Sequence, residues 1–445
     1  MKTEFHNWLI ARLITEIDNK FNTQLNEIFH HPRFQQLEAS WRGLCYLLQQ
    51  ATDYYSVHVK IKLLSISWQE LSRDLSRAID FDQSQLFNKI YNREFGQPGG
   101  EPFGLLVGDY YINHQNVSSV NDIDTLQAIA KISAAAFVPY ITSAAPQLFG
   151  LGDFDKLNHC MRFEDIFQQP EYQSWQSLRL DPDSRFIGVV LPRVLMRIPY
   201  QNQAAVRYPF IFSEEITHSA HCLWGNAAYC YAAVVIRSFN KTGWFTEIRG
   251  LRFDAPAGEV THLPLPRYFL DNTLFDYKAP VEVTITDRLE KLLGEFGLIA
   301  LTHCAKSNNL VFYRCSSLLT RSEPVSSLTA EDAELSSMLH YVLCVSRFSH
   351  YIKVMIRDKI GALTTPEDCE KFLQNWLRQY IASSLNLSHE LKAKYPLRDA
   401  KVVVKKRPGS LENYLCTILI SPHYQFDRVQ AYLELTTEFS TASMR

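Results

Sequence analysis

The sequence lacks the short motifs by which common enzyme classes are recognised. It contains no GxSxG, GxxxxGKS/T, GxGxxG or HExxH pattern. The local signatures of α/β-hydrolases, P-loop nucleotidases, dinucleotide-binding domains and zinc peptidases are therefore missing. The nine cysteines include no CxxC pair and have no regular spacing, which is typical of reduced thiols in a cytosolic protein.

The sequence also lacks a strong charge of one sign and a convincing membrane segment. Its formal net charge is −2, which argues against bulk binding of nucleic acid. The N-terminal apolar stretch is short and contains Arg12, unlike an export signal. The best candidate for a membrane segment, the uncharged run at residues 132–152, contains Pro139 and Pro146. We expect it to form a small-residue helix packed inside the protein, ending near Pro146, and no segment that spans a membrane.

The length and the hydrophobic patterning predict a mixed α/β protein of several domains. At 445 residues, with 46% hydrophobic residues, the chain can bury more than one core. We predict a helical N-terminal segment at 1–55, an α/β core at 56–325 and a C-terminal domain at 326–445. The boundary is the polar stretch at 318–335. The core should begin with an alternating strand at 57–63, followed by a helix that Ser67 and Glu70 cap. The C-terminal domain should contain long helices, a β-hairpin and a final alternating strand.

The stretch at 28–43, IFHHPRFQQLEASWRG, combines two histidines with a proline. The apolar residues before it recur at helical spacing and predict the buried stripe of an amphipathic helix. Pro32 disfavours helical geometry at His31 and suits the first turn of a new helix. The favoured interpretation is that His30 and His31 form the corner of a helical hairpin; a metal site is the alternative.

Three other groups of residues are candidates for chemistry. His218, His221 and Cys222 have helical spacing and could hold a metal, although a structural cluster is favoured. His303 and Cys304 could pair a base with a nucleophile, but an inert buried cysteine is the simpler interpretation. Asp109 follows a predicted strand and a glycine and is interpreted as a turn residue. An unrecognised cysteine- or metal-dependent enzyme stays open as an alternative.

A basic stripe is predicted on the helix CVSRFSHYIKVMIRDKIG at 344–361. At about 100° per residue, the apolar residues share one side of this helix. Four basic residues lie on the other side: Arg347, His350, Lys353 and Arg357. A solvated face would usually mix charges of both signs, but Asp358 is the only acid in the stretch. The stripe therefore suits an acidic protein partner or, as an alternative function, nucleic acid.

Long motifs along nearly the whole chain resemble one family, the large subunit of the type VI secretion contractile sheath (TssC, VipB, ImpC or EvpB). They include HHPRFQQLEASWRGL, EFGQPGGEPFGLLVGDYYI, AAAFVPYITSAAPQLFG, RFIGVVLPRVLMRIPY and SRFSHYIKVMIRDKIG. They occur in the family's order from about residue 15 to 435.

This resemblance implies a structural protein without a cofactor or an enzymatic activity. Family members pair with a small sheath subunit (TssB or VipA) and polymerise around a tube of Hcp hexamers. Contraction of the sheath on its baseplate then propels the tube. The AAA+ ATPase ClpV recycles contracted sheaths, and the family helix implicated in its recognition precedes the first motif. In this sequence the first motif already begins near residue 30, which leaves a shorter segment before it than most family members have. Recognition of this chain by ClpV is therefore left open.

The resemblance also implies where the chain would act and which residues would contact its partners. We expect a location in the bacterial cytosol, docked on a membrane-anchored baseplate, without membrane insertion or nucleic acid. The basic stripe, Arg347, His350, Lys353 and Arg357, would face the tube. The final strand, with Val429, Ala431, Leu433 and Leu435, would join a sheet shared between subunits.

Overall fold

The fold is described from a computed structural model of the 445-residue chain. The described residues are 2–52, 59–114, 121–158, 163–200, 212–252, 257–265, 267–270, 273–277, 279–304, 309–320, 337–359, 366–382, 388–406, 413–423 and 433–440. Within them, no helix combines the length and the apolarity needed to cross a membrane.

The chain begins with two helices that meet at a corner, and this pair is called the N-terminal hairpin below. Helix α1 spans Lys2–Phe29 and helix α2 spans Pro32–Thr52. Pro32 opens α2 at a position where its missing N–H costs no hydrogen bond. The backbone amides of Phe34 and Gln35 both donate to the carbonyl oxygen of His31. The predicted corner at His30 and His31 is therefore confirmed.

A six-stranded sheet forms the centre of the protein. Its strand order is β1-β2-β3-β9-β10-β6. The first four strands in this order run parallel, and β10 and β6 add antiparallel pairs. The strand bounds are Leu106–Ile112 (β1), Tyr140–Ala144 (β2), Ile187–Leu191 (β3), Glu259–Val260 (β6), Leu298–His303 (β9) and Leu310–Phe312 (β10). Two short pairs complete this region: Val194–Leu195 (β4) with Trp224–Gly225 (β5), and Arg267–Leu270 (β7) with Thr273–Tyr277 (β8).

Helices cover both faces of the central sheet, so its strands are buried on both sides. Successive side chains alternate between two hydrophobic cores: Val189 belongs to one and Val190 to the other. The first core includes residues of Trp68–Arg77 (α3), Asp122–Ala136 (α5), Gln173–Leu180 (α7) and Asp287–Glu295 (α9). The second core includes residues of Ala228–Thr242 (α8) and of α2. The short helices Gln85–Phe87 (α4) and Phe163–Phe167 (α6) and a π-helix at Asn88–Phe95 complete the α/β region.

Local end signals in the sequence are confirmed in this region. The Ser67 side chain accepts a hydrogen bond from the Glu70 amide, and the Glu70 carboxylate accepts one from the Ser67 amide. Gly297 follows α9 with φ of +78°, a left-handed conformation that suits glycine. The apolar segment at 221–244 contains helix α8.

Two predicted elements of the α/β region are wrong. The run 132–152 is not one helix: α5 ends at Ala136, Phe137 adopts a left-handed conformation, and strand β2 follows. A strand buried on both faces has the same unbroken apolar composition as a buried helix, so composition misled the prediction. Residues 59–66 contain no strand in the described part of the chain, although their apolar and polar residues alternate.

The C-terminal region contains three helices and a three-stranded sheet, and two of the helices share a third core with the sheet. The helices are Leu339–Lys359 (α10), Pro366–Arg378 (α11) and His389–Lys394 (α12). The antiparallel sheet has the order β11-β12-β13, formed by Leu397–Lys406, Asn413–Pro422 and Leu433–Ser440. Phe348 of α10 and Leu373 of α11 meet Val402 and Ile418 of the sheet in this core. The predicted hairpin is confirmed, whereas most of the predicted boundary at 318–335 lies outside the described residues.

Candidate assembly surfaces

The apolar side of α10 is buried as its spacing predicts. Val345, Phe348, Ile352 and Ile356 belong to the third core. The Phe348 ring stacks on Trp244, with ring centroids 4.2 Å apart. This side therefore holds α10 against the rest of its own chain.

The opposite side of α10 is not a solvated face. His350 is only 2% exposed, and its Nε2 donates to the carbonyl oxygen of Ala136 at 3.1 Å. Burial lowers the pKa of His350 to about 3, so the imidazole is neutral at physiological pH. The expectation that His350 belongs to an exposed basic stripe is wrong for this chain, because α5 and the Phe95 ring cover it.

The other three basic residues of the stripe are half-buried against aromatic rings and carbonyl groups. The Arg347 guanidinium lies over the Tyr351 ring, 4.5 Å from its centroid, and donates to the Tyr351 hydroxyl. The Lys353 ammonium lies 3.8 Å from the centroid of Phe95 and donates to the hydroxyl of Tyr91 at 2.6 Å. Such cation–π contacts satisfy a cation without neutralising it.

Arg357 anchors the end of the stripe on the loop after the π-helix. Its Nη1 donates to the carbonyl oxygen of Gln97 at 2.6 Å, and its side chain is 18% exposed. Its Nε lies 3.6 Å from Asp358, whose side chain is largely exposed. Among the described residues, no carboxylate forms an ion pair with Arg347 or Lys353. Lys353 and Arg357 are thus held by the segment 88–97, which the sequence did not indicate.

The last strand pairs within the chain. Leu433 lies opposite Ile420 and Leu435 lies opposite Ile418, so β13 occupies one edge of the sheet. Val429 and Ala431, predicted as members of the same strand, lie outside the described residues. Whether β13 also serves a neighbouring subunit stays a prediction.

The apolar stripe of α1 is exposed, which reverses the expectation that it is buried. Ile14, Ile17 and Phe21 are 50%, 52% and 53% exposed, and Ile10 and Ile28 are similarly open. Successive positions 10, 14, 17, 21, 24 and 28 are four and three residues apart in turn, with Gln24 as the one polar residue. This is the a/d spacing of a coiled-coil seam. Periodicity identified the stripe but could not show what covers it.

The structure separates the histidines and cysteines that the sequence suggested as candidates for chemistry. His218 precedes a short 3-10 helix, Ser219–His221, so the two histidines do not share one side of an α-helix. The His221 ring stacks on His30 with centroids 4.1 Å apart. In the described ranges, no group of three or more His, Cys, Asp or Glu residues could hold a metal ion. Cys304 is buried next to His303, the last residue of β9.

Asp109 is not a turn residue as predicted. It lies inside β1, where its carboxylate accepts a hydrogen bond from Ser40 of α2. It thus joins the N-terminal hairpin to the central sheet.

Arg197 forms a second junction between the hairpin and the core. It follows β4, and its Nε donates to Glu38 of α2 at 2.9 Å. Its Nη1 and Nη2 hold Glu214 in a two-point pair. Burial alone would raise the pKa of Glu214, but hydrogen bonds from Arg197 and from the amide of Tyr200 lower it. Since His30 is also 3.5 Å from Glu214, these groups hold the corner of the hairpin to the core.

Comparison with known proteins decides the family. The family domain described as "EvpB/VC_A0108, tail sheath N-terminal domain" matches residues 11–319. A second, "EvpB/VC_A0108, tail sheath gpW/gp25-like domain", matches residues 329–439. The chain belongs to the VipB family of tail sheath proteins. This VipB-family chain is 37% identical over 439 residues to the type VI secretion system sheath protein TssC1 of Pseudomonas aeruginosa, covering 97% of the chain and 86% of TssC1. The resemblance read from the motifs is confirmed.

Solved sheath tail proteins are more distant from the VipB-family chain. One from Desulfitobacterium hafniense is 12% identical with a TM-score of 0.33, over 72% of this chain and 55% of that chain. Another from Listeria innocua is 12% identical with a TM-score of 0.35, over 77% of this chain and 57% of that chain.

Proposed function

We propose that this chain is the large subunit of a type VI secretion contractile sheath that pairs with a small sheath subunit. The observation that carries the pairing is the exposed stripe of α1. Five large apolar side chains lie along it: Ile10, Ile14, Ile17, Phe21 and Ile28. A contiguous apolar surface of this kind marks an interaction site on a soluble protein. Its a/d spacing fits a partner that contributes an amphipathic helix.

The proposed polymer consists of such heterodimers stacked around the Hcp tube on a baseplate in the bacterial cytosol. The domain organisation stays as proposed from the sequence, with an α/β core at 56–325 and a domain at 326–445 that carries the tube-facing helix and the shared strands. The pairing with the small subunit, first expected of the core alone, is extended to α1. The strand β13 would contact a neighbouring protomer. ClpV is a further candidate partner.

The tube contact is proposed for Arg347, Lys353 and Arg357. Their hydrogen bonds go to hydroxyl and carbonyl oxygens, and within the described residues none of them is paired with a buried carboxylate. Their cationic groups would attract an acidic tube surface at partly solvated sites, with about 1 kcal/mol or less for each. Repetition at every subunit would add these weak contacts along the polymer. His350, because it is buried, would hold α10 in place rather than contact the tube.

The decisive experiment is co-expression of the chain with the small sheath subunit encoded beside it, followed by affinity purification and negative-stain electron microscopy. We expect a stable heterodimer and helical tubes. The chain expressed alone should aggregate or stay bound to chaperones, because the stripe on α1 then lacks its partner. A soluble monomer with a cooperative melt and no affinity for the small subunit would contradict the proposal.

The same preparation separates the sheath from the nucleic-acid alternative. Binding through the basic stripe to nucleic acid would weaken steeply with salt. Formation of tubes should instead depend on the small subunit. Nucleic-acid affinity of the purified heterodimer at physiological salt would favour the alternative.

A further inference from the structure

The two edges of the C-terminal sheet are not equivalent. Strand β12 is central, so β11 and β13 each form an edge. An edge strand presents backbone N–H and C=O groups to which a strand from another chain can add. In a protein that assembles by sharing strands, both edges would be potential acceptors. The outer edge of β11, however, is occupied by other groups of its own chain.

Gln374 of α11 binds this edge as a neighbouring strand would. Its Nε2 donates to the carbonyl oxygen of Ala400 at 2.8 Å, and its Oε1 accepts from the amide of Val402 at 3.0 Å. A carboxamide has the same donor and acceptor as a peptide group. One side chain thus satisfies the two backbone groups that the next strand would use.

Glu370 continues the same pattern one helical turn earlier. Its Oε2 accepts from the amide of Val404 at 3.2 Å. Four helix residues advance by about 6 Å and two strand residues by about 6.6 Å, so Glu370 and Gln374 match successive outward-facing positions of β11. Helix α11 therefore lies along the strand in register with it.

The beginning of β11 is closed by three further hydrogen bonds. The carbonyl oxygen of Tyr380 accepts from the amide of Leu397, and the carbonyl oxygen of Leu397 accepts from the amide of Ala382 at 3.0 Å. The Asp399 carboxylate accepts from the amide of Ala400 at 2.8 Å. The amides of Leu397, Ala400, Val402 and Val404 and the carbonyl oxygens of Leu397 and Ala400 thus have partners within the chain.

We propose that Glu370 and Gln374 close the β11 edge to strand addition, so that a strand from a neighbouring sheath chain joins this sheet only on its β13 side. The inference rests on the proposed function, since it assigns one direction to assembly by shared strands. The hydrophobic anchors of α11 are other residues, Leu373 and Leu377, which are fully buried in the third core. Glu370 and Gln374 face the strand edge instead, where their polar groups decide what can pair with it.

The first test measures amide hydrogen exchange in the purified heterodimer, by mass spectrometry with fragmentation that resolves single residues. We expect the amides of Val402 and Val404 to be protected before assembly. The substitution Gln374→Ala should speed exchange at Val402 by roughly three- to tenfold, as expected for the loss of one hydrogen bond. Asn375→Ala, at an exposed position of the same helix, is the matched control and should leave both amides unchanged.

The second test follows assembly of the same variants by electron microscopy. Gln374→Ala combined with Glu370→Ala should give branched or aggregated material, because both edges then accept strands. Glu370→Gln keeps an acceptor oxygen and should assemble as the wild type does. A map of wild-type tubes should show no foreign strand on β11.

Each outcome bears on the inference. Unprotected amides at Val402 and Val404 in the wild-type heterodimer, or a foreign strand paired with β11 in the tube, would overturn it. So would normal tubes from a double variant whose Val402 amide exchanges rapidly. If the wild-type heterodimer forms no tubes, the proposed function fails, whereas the exchange experiment still decides whether the edge is closed.

Discussion

The exposed stripe of α1 supports a prediction that separates binding from folding. The change is the triple substitution of Ile14, Ile17 and Phe21 by serine. Each side chain is about half exposed in the free chain. A partner helix would remove this exposed half of its surface from water. At 1.5 to 3 kcal/mol for full burial, each contributes about 1 kcal/mol to binding. The three together contribute about 3 kcal/mol, which weakens the heterodimer by about a hundredfold in Kd.

In the assay, the co-purified heterodimer is diluted so that it dissociates, and the small sheath subunit is then titrated against the variant. The dissociation constant is measured by fluorescence. Glu16→Ser with Asn19→Ser provides the control, because these exposed residues lie on the other side of the same helix and should leave the Kd within about twofold. The free energy of unfolding of the core should be unchanged in both variants. Equal affinity of the triple variant and the wild type would refute the assignment of α1 as the pairing surface. A large loss of stability without a loss of affinity would show that the stripe belongs to the fold.

Three further predictions concern the C-terminal region. The double variant Lys353→Glu with Arg357→Glu should block extended sheaths and secretion in cells. The neutral Lys353→Met retains packing on the aromatic rings and should have a smaller effect. Normal sheath contraction in the double variant would reject the tube contact. Removal of residues 429–440 should leave heterodimers intact but abolish long tubes in electron micrographs, and normal tubes would contradict the role of the last strand. His350 has a depressed pKa in the folded state, so stability should fall as the pH drops below about 6.5 towards 3, by up to about 1.4 kcal/mol per pH unit. His350→Gln should flatten that part of the unfolding curve relative to the wild type, and an identical pH dependence would show that the imidazole is accessible to protons in the folded state.

The features predicted correctly from the sequence depend on short-range chemistry. The cap at Ser67 and Glu70 needs only residues three apart, and the corner at Pro32 follows from the ring of one residue. The hairpin of β11 and β12 was readable because strand alternation and turn residues are adjacent in the sequence. The family motifs covered the chain well enough to predict its class.

Three of the errors concern what packs against a correctly recognised pattern. The alternation at 59–63 is real but forms no strand in the described residues, since no neighbouring strand pairs with it there. The stripe of α1 is apolar, yet no part of the described fold covers it. His350 lies among basic residues, but its burial by Ala136 and Phe95 arises from contacts more than 200 residues apart. Such contacts depend on tertiary structure, which periodicity does not encode.

The junction at Arg197 determines how a mechanical load would pass through the subunit. If a partner pulls on α1, the hairpin corner bears the force first, and Arg197 is bonded there to both Glu38 and Glu214. Two charges held at fixed points resist sliding of the hairpin along the core, since any displacement separates buried opposite charges. Apolar contacts, in contrast, can slip past one another at little cost. The hairpin would therefore move with the core as one rigid body. A small rotation of each subunit would then be transmitted to its partner without a change of angle between the hairpin and the core.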